Sequence, residues 1–120
     1  KVRGTPMNSG TAKLVLPLDA AGAGDGPAPL RAIYVLADPA TQRRTRRVCI
    51  QAETGRSAFL EIVRAAFNLS VVDRARLSNQ FRTAARLVAE VPIRRLSYPR
   101  AVSQLPAVCG AVIEDLGRSG

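Results

Sequence analysis

The chain has 120 residues, 47% of them apolar, with 18 basic against nine acidic side chains and a net charge of +9. That length suits one domain or part of one, and the apolar share supports a core, which excludes wholesale disorder. No apolar run reaches a membrane span, and without histidine there is neither imidazole chemistry nor a four-ligand zinc site from the two cysteines.

The chain opens on Lys1 rather than Met, and residues 1–11 lack the apolar core of a signal peptide. This reads as a fragment of a longer, cytoplasmic protein. The opening KVRGTP combines a fixed positive charge (Arg3), a close-approach glycine (Gly4) and a hydroxyl (Thr5), which suits the rim of a phosphate site as well as a plain loop. Ala12 to Leu18 predicts a short strand that Pro17 ends or marks as an edge.

The stretch DAAGAGDGPAPLRAIYVLA, Asp19 to Ala37, raises the question of a phosphate loop. Such a loop runs from strand to glycine turn to helix, so that backbone N–H groups face the phosphates. Here Gly22, Gly24 and Gly26 are followed by Pro27 and Pro29, which donate no N–H, and then by a strand pattern over Leu30 to Ala37. The segment therefore reads as a loop between strands. Asp38 to Thr45 is a polar turn, and Arg46 to Gln51 a short strand expected to pair antiparallel with Leu30–Ala37.

Thr54 or Ser57 caps a helix running to about Phe67, with Phe59, Leu60, Val63, Ala66 and Phe67 inward and Glu61 and Arg64 outside that face. Asn68 to Val72 breaks the chain. Asp73 caps a long helix to about Glu90, with Leu77, Phe81, Ala84, Val88 and Val91 inward, Arg86 placed to pair with Glu90, and Pro92 as the stop. Ile93 to Tyr98 is a further strand. Val102 to Leu116 is a last helix, with Leu105, Val108, Cys109, Val112, Ile113 and Leu116 inward and Gly117 ending it. The fold class is α+β: short, mostly antiparallel strands, two helices, a strand and a C-terminal helix. Residues 1–120 form a single domain or the C-terminal portion of a larger one. Cys49 and Cys109 read as two buried thiols, with a disulfide as the lesser alternative.

The nine carboxylates are scattered, and none forms an acid/base pair by spacing. Arg43, Arg44, Arg46 and Arg47 are the densest charge. At a hairpin tip they discourage strand pairing or contact a phosphate or an acidic partner. Arg94 and Arg95 alternate across their strand, so one of them faces a helix or a cleft. The arginine excess favours anionic partners. Three Phe, two Tyr and no Trp leave few stacking platforms, which disfavours nucleic acid.

Three stretches in order, GTP at Gly4 to Pro6, PLRAIYVL at Pro29 to Leu36 and AEVPIRRLSYPRAVSQLP at Ala89 to Pro106, resemble the C-terminal half of HPr serine kinase/phosphorylase-like proteins, in particular their HPr kinase-related branch. The resemblance covers Gly4 to Leu116. It implies part of a phosphoenolpyruvate carboxykinase-like kinase domain that binds ATP and Mg²⁺ and phosphorylates a hydroxyl on a protein or peptide. The phosphate loop, metal-binding acids and catalytic acid of that family normally lie upstream of the GTP segment, and none is in this sequence. The resemblance therefore implies that ATP and Mg²⁺ belong to the intact parent and not to this fragment, which has no catalytic residue of its own. Only Arg3, Gly4 and Thr5 match a segment near the active site. The partners implied are the upstream half of the same chain, a phosphoacceptor and further copies of the protein, with no membrane. The alternative reading is a non-catalytic basic module that docks an acidic protein or nucleic acid.

Overall fold

The structure, a computed structural model, describes residues 4–6, 9–10, 12–19, 21, 24–38, 40, 45–66 and 73–118. Arg3, Arg43, Arg44, Gly22, Phe67 and the predicted break at Asn68 to Val72 lie outside the described residues.

The molecule is a small α+β fold. The described elements are strands β1 (Thr5–Pro6), β2 (Leu14–Val15), β3 (Ile33–Leu36) and β4 (Cys49–Glu53), helices α1 (Gly55–Ala66) and α2 (Arg74–Glu90), strand β5 (Ile93–Ser97), one turn of 3-10 helix at Val102–Gln104, and helix α3 (Leu105–Arg118). β1 and β2 form an antiparallel ribbon with Thr5 opposite Val15. Gly4 lies against it so closely that a Cβ there would come within 2.8 Å of both Leu14 and Leu16. The remaining strands form a three-stranded mixed sheet in the order β3-β5-β4. β5 is parallel to β3, with Ile33 opposite Ile93, and antiparallel to β4, with Glu53 opposite Ile93.

This order corrects the expected antiparallel pairing of β3 with β4. The two are the outer strands and β5 lies between them, so β3 and β4 are not the two arms of a hairpin. The reason is burial. IRRLS carries two of the best-buried apolar residues, Ile93 and Leu96, on opposite faces. A strand that must be covered on both sides takes the middle position, where both of its backbone edges are also hydrogen-bonded. The turn-rich segment after β3 has no comparable claim on it.

Strand periodicity sets the two faces. Ile33, Val35, Ile93 and Arg95 share one face with Gln51 and Glu53, whereas Tyr34, Arg94 and Leu96 share the other with Ile50 and Ala52. The first face carries the core: Ala58 and Ile62 of α1, Ala84 of α2 and Ile93, with Ile33, Val35, Phe59, Val63, Leu87 and Val88 packed around them. The helices stack Phe59 on Phe81 at 6.0 Å between ring centres.

Helix ends follow the sequence closely. Asp73 caps α2, its carboxylate accepting from the Ala75 N–H, and Val91 leaves the helix ahead of Pro92. α1 begins directly after Thr54, one of the two expected cap positions, whose carbonyl accepts from the Ala58 N–H, while the hydroxyl of the other, Ser57, donates to Glu53. Its entry is made by Gly55 at φ +57°, the left-handed conformation that lets β4 turn directly into a helix. α1 also buries Ala58 and Ile62 rather than Ala66, rotating the stripe enough to bring Glu61 partly inward. α3 runs one residue past Gly117, and no residue of it is fully buried. Both cysteine thiols are exposed, against expectation, because Cys49 is on an outer strand and Cys109 on the outward side of α3.

Open space surrounds the position a Cβ would take on Gly55, so backbone strain alone decides the effect of a side chain there. Gly55→Ala is expected to lower unfolding stability by about 1–2 kcal/mol. Ile93→Ala, which empties the centre of the core, is expected to cost about 2–5 kcal/mol. Urea denaturation measures both.

Candidate functional site

β5 places two consecutive arginines on opposite faces of the sheet, and each gathers its own acids. Arg95 points toward α1. Its Nε lies 3.1 Å from Glu53 Oε1 and its Nη2 2.7 Å from Glu61 Oε1. Ser57 donates to the other oxygen of Glu53, and Arg64 reaches Glu61 at 3.7 Å. One guanidinium therefore joins a neighbouring strand to a covering helix. Glu61 was expected to lie outside the buried face, but the partner that draws it inward is 34 residues away.

Arg94 points the other way, to Asp115 on α3, which also accepts a hydrogen bond from the Tyr34 hydroxyl. The arginine and aspartate side chains are only 15% and 13% exposed. The Arg86–Glu90 and Arg118–Glu114 pairs are open to water, and their contribution is correspondingly small. The Asp115 carboxyl is held below its ordinary value, chiefly by the Tyr34 hydrogen bond. Arg94 adds a hydrogen bond and its charge, Arg118 adds charge, and burial works in the opposite direction. Tyr34 is pushed above its ordinary value by burial first, then by donation to Asp115 and that group's negative charge, with Arg94 opposing. Arg31 adds a 3.4 Å bond to the Leu116 carbonyl, a further polar contact between α3 and the segment leading into β3.

Beside this anchor a cleft of about 440 Å³ opens between β4 and α3, lined by Val48, Ile50, Ala111, Glu114, Asp115 and Arg118. A smaller hollow of about 280 Å³ lies where α1 begins and α2 ends, with Glu53, Gly55, Val91 and Pro92 in its wall. Among the described residues, no three acidic, cysteine or histidine side chains converge as metal ligands.

A third feature lies at the end of the sheet where β3 and β5 both finish. Arg100 donates to the Ala37 carbonyl at 3.1 Å and places its guanidinium over the Tyr98 ring at 5.3 Å. The chain enters β4 at this same end, because Cys49 lies opposite Ser97, and Arg46 and Arg47 just ahead of it are exposed. Of the residues singled out in the sequence, Gly4 and Thr5 belong to the β1–β2 ribbon, Arg46 and Arg47 precede β4, and Arg3, Arg43 and Arg44 lie outside the described residues. Gly24 and Gly26 lead through an irregular segment to β3 and not to a helix. Among its described residues the glycine stretch accordingly lacks the strand-turn-helix order of a phosphate loop.

No family model, curated protein or solved structure matches the chain. No helix among the described residues is long and apolar enough to cross a membrane.

Three tests follow from the polar anchors. A carboxylate whose value is lowered on folding stabilises above its unfolded value and loses that contribution as pH falls through the folded one. Thermal unfolding followed below about pH 4 should therefore show a stability loss that is smaller in Asp115→Asn. Tyr34 has the opposite sign: its raised value favours folding until pH climbs past about 10, and Tyr34→Phe should flatten that alkaline loss. Arg95→Ala leaves Glu53 and Glu61 facing each other without their shared cation. It should cost about 1–3 kcal/mol in urea denaturation and be partly rescued by adding Glu61→Gln.

Proposed function

We propose that this chain is the supporting half of an ATP-dependent, HPr kinase-like enzyme that phosphorylates a hydroxyl on a protein or peptide. In this reading the nucleotide and Mg²⁺ are held by a phosphate-loop segment elsewhere in the parent, and residues 1–120 alone neither bind ATP nor catalyse transfer. The observation that carries it is the bare apolar strand beside the GTP segment. Leu14, Val15 and Leu16 are each more than half exposed, and Leu18 is 75% exposed. Apolar side chains lined up along a strand and open to water are the surface that another part of a sheet covers. The ribbon sets Gly4 and Thr5 directly against them. The mixed sheet with helices on both faces supports the same reading, and so does the meeting of the parallel strand ends with Arg46, Arg47 and Arg100, since ligands of such sheets bind where parallel strands finish.

Phosphoryl transfer is largely positioning and electrostatics around phosphates and metal. A half that supplies rim residues and no phosphate loop contributes arginine charge and mechanical support. A second reading, a basic docking module, draws on exposed Arg46, Arg47, Arg82 and Arg86. Its signature is binding to polyanions whose affinity falls steeply with salt and shows no sequence preference.

Calorimetric titration of ATP with Mg²⁺ separates the two. The parent protein is expected to bind and this chain alone to give no binding heat. Binding by this chain alone, or none by the parent, overturns the kinase reading.

A further inference from the structure

The two outer strands of the mixed sheet differ in character. β3 reads IYVL, bulky and apolar on both faces, the composition of a strand with cover on both sides. β4 reads CIQAE. Cys49, Gln51 and Glu53 face α1, Ile50 and Ala52 face α3, and Cys49, Gln51 and Ala52 are exposed. Arginines stand exposed at both of its ends, Arg46 and Arg47 ahead of it and Arg56 behind it. A strand of the same fold packed permanently beside it would withdraw Gln51 and these arginines from water at a cost. Such a strand suits the end of a sheet rather than its interior.

Among the described residues β4 pairs with β5 alone, so alternate N–H and C=O groups along its other edge face away from the sheet. Its register is unbroken over five residues, with no proline, no bulge and no charge before Glu53. Those are the devices that close an edge to further pairing.

We propose that the outer edge of β4 takes up an extended acidic segment of a partner protein as an added strand. Such a strand sends alternate side chains to the two faces. On the α3 side lies the cleft of about 440 Å³, with Val48, Ile50 and Ala111 as its apolar lining. Its charged groups are already engaged, Glu114 with Arg118 and Asp115 with Arg94 and Tyr34. That side takes an uncharged aliphatic side chain. On the α1 side Glu53 and Glu61 are matched by Arg95 and Arg64, which leaves Arg46, Arg47 and Arg56 as the excess charge along the edge. That side takes carboxylates. The edge also decides between polyanions. A nucleic acid has no row of N–H and C=O groups to complete a ladder, whereas an acidic polypeptide supplies both the ladder and the charge.

The probe is a synthetic peptide of about eight residues that alternates valine and glutamate. Calorimetric titration into the 120-residue chain should give a Kd on the order of 10 μM at low salt. Hydrogen exchange should slow at the amides of residues 49–53. N-methylating one alternate set of peptide amides should weaken binding at least about tenfold and the other set should not, since only one edge of an added strand meets β4. Arg46→Glu combined with Arg47→Glu should weaken it about as much, with the circular dichroism spectrum unchanged. The methylated peptides leave the chain itself intact, so they decide the matter even where that variant folds poorly. No binding, equal binding of both methylated peptides, protection confined to residues outside β4, or the same protection from a charge-matched single-stranded DNA overturns the proposal. None of these outcomes depends on nucleotide binding, so the proposal and the kinase reading fail separately.

Discussion

The fold depends on a single requirement: β5 must carry two arginines through the middle of a covered sheet. A guanidinium withdrawn from water without a partner costs several kcal/mol; Arg94, 15% exposed, is largely withdrawn from water, and Arg95, 35% exposed, is so in part. Each layer must therefore supply an acid at the right height. Glu61 of α1 and Glu53 of β4 do so for Arg95, and Asp115 of α3 does so for Arg94. Because strand residues alternate in direction, adjacent arginines demand acids from opposite layers, and those pairs fix the rotation of both helices.

The two layers answer in different ways. On the α1–α2 side, Arg95 sits at the margin of an apolar cluster, and the ionic contacts orient helices that hydrophobic packing already holds. On the α3 side Leu96 is well buried but no residue of α3 is, and the half-buried Val108, Val112 and Leu116 are supplemented by polar contacts through Asp115, Tyr34 and Arg31. The consequence reaches the surface. A helix anchored by polar groups on its inner side leaves part of its apolar complement facing outward, which is why Leu105 and Ile113, expected inside, are exposed. The same happens at the β1–β2 ribbon, where two short strands without a covering layer leave leucines bare.

What could be read from the sequence was what neighbouring residues decide among themselves. Asp73 as a cap, Pro92 as a stop, the Arg86–Glu90 pair and the strand at Ile93 each depend on a few adjacent positions, and each is found. The glycine stretch was also legible, because two prolines and a strand pattern leave no room for a helix after it. The strand order was not. Whether β3 pairs with β4 or with β5 depends on which strand most needs cover on both sides, a property of the whole sheet. The carboxylates paired with Arg94 and Arg95 were missed for the same reason: Glu61 and Asp115 resemble ordinary helix-surface acids until a strand distant in sequence turns toward them. One signal did exist. Consecutive arginines inside an apolar strand flanked by helices call for an acid on each side, and Glu61 and Asp115 are acids next to helical positions, Leu60 and Leu116, expected to face inward. The cysteines misled because apolar neighbours are common to buried thiols and to unpartnered helix faces.

The arrangement of charge and apolar surface together narrows what the molecule is built to do. Arginine collects where β3 and β5 end, with Arg100 fixed across Ala37 and Tyr98 and with Arg46 and Arg47 nearby. Bare apolar side chains collect on the ribbon and on α3. A module that only bound polyanions would need the first and gain nothing from the second, since uncovered leucines promote non-specific association. Basic charge at a strand end combined with two separate uncovered apolar surfaces is the pattern on which the proposed reading as a supporting half rests.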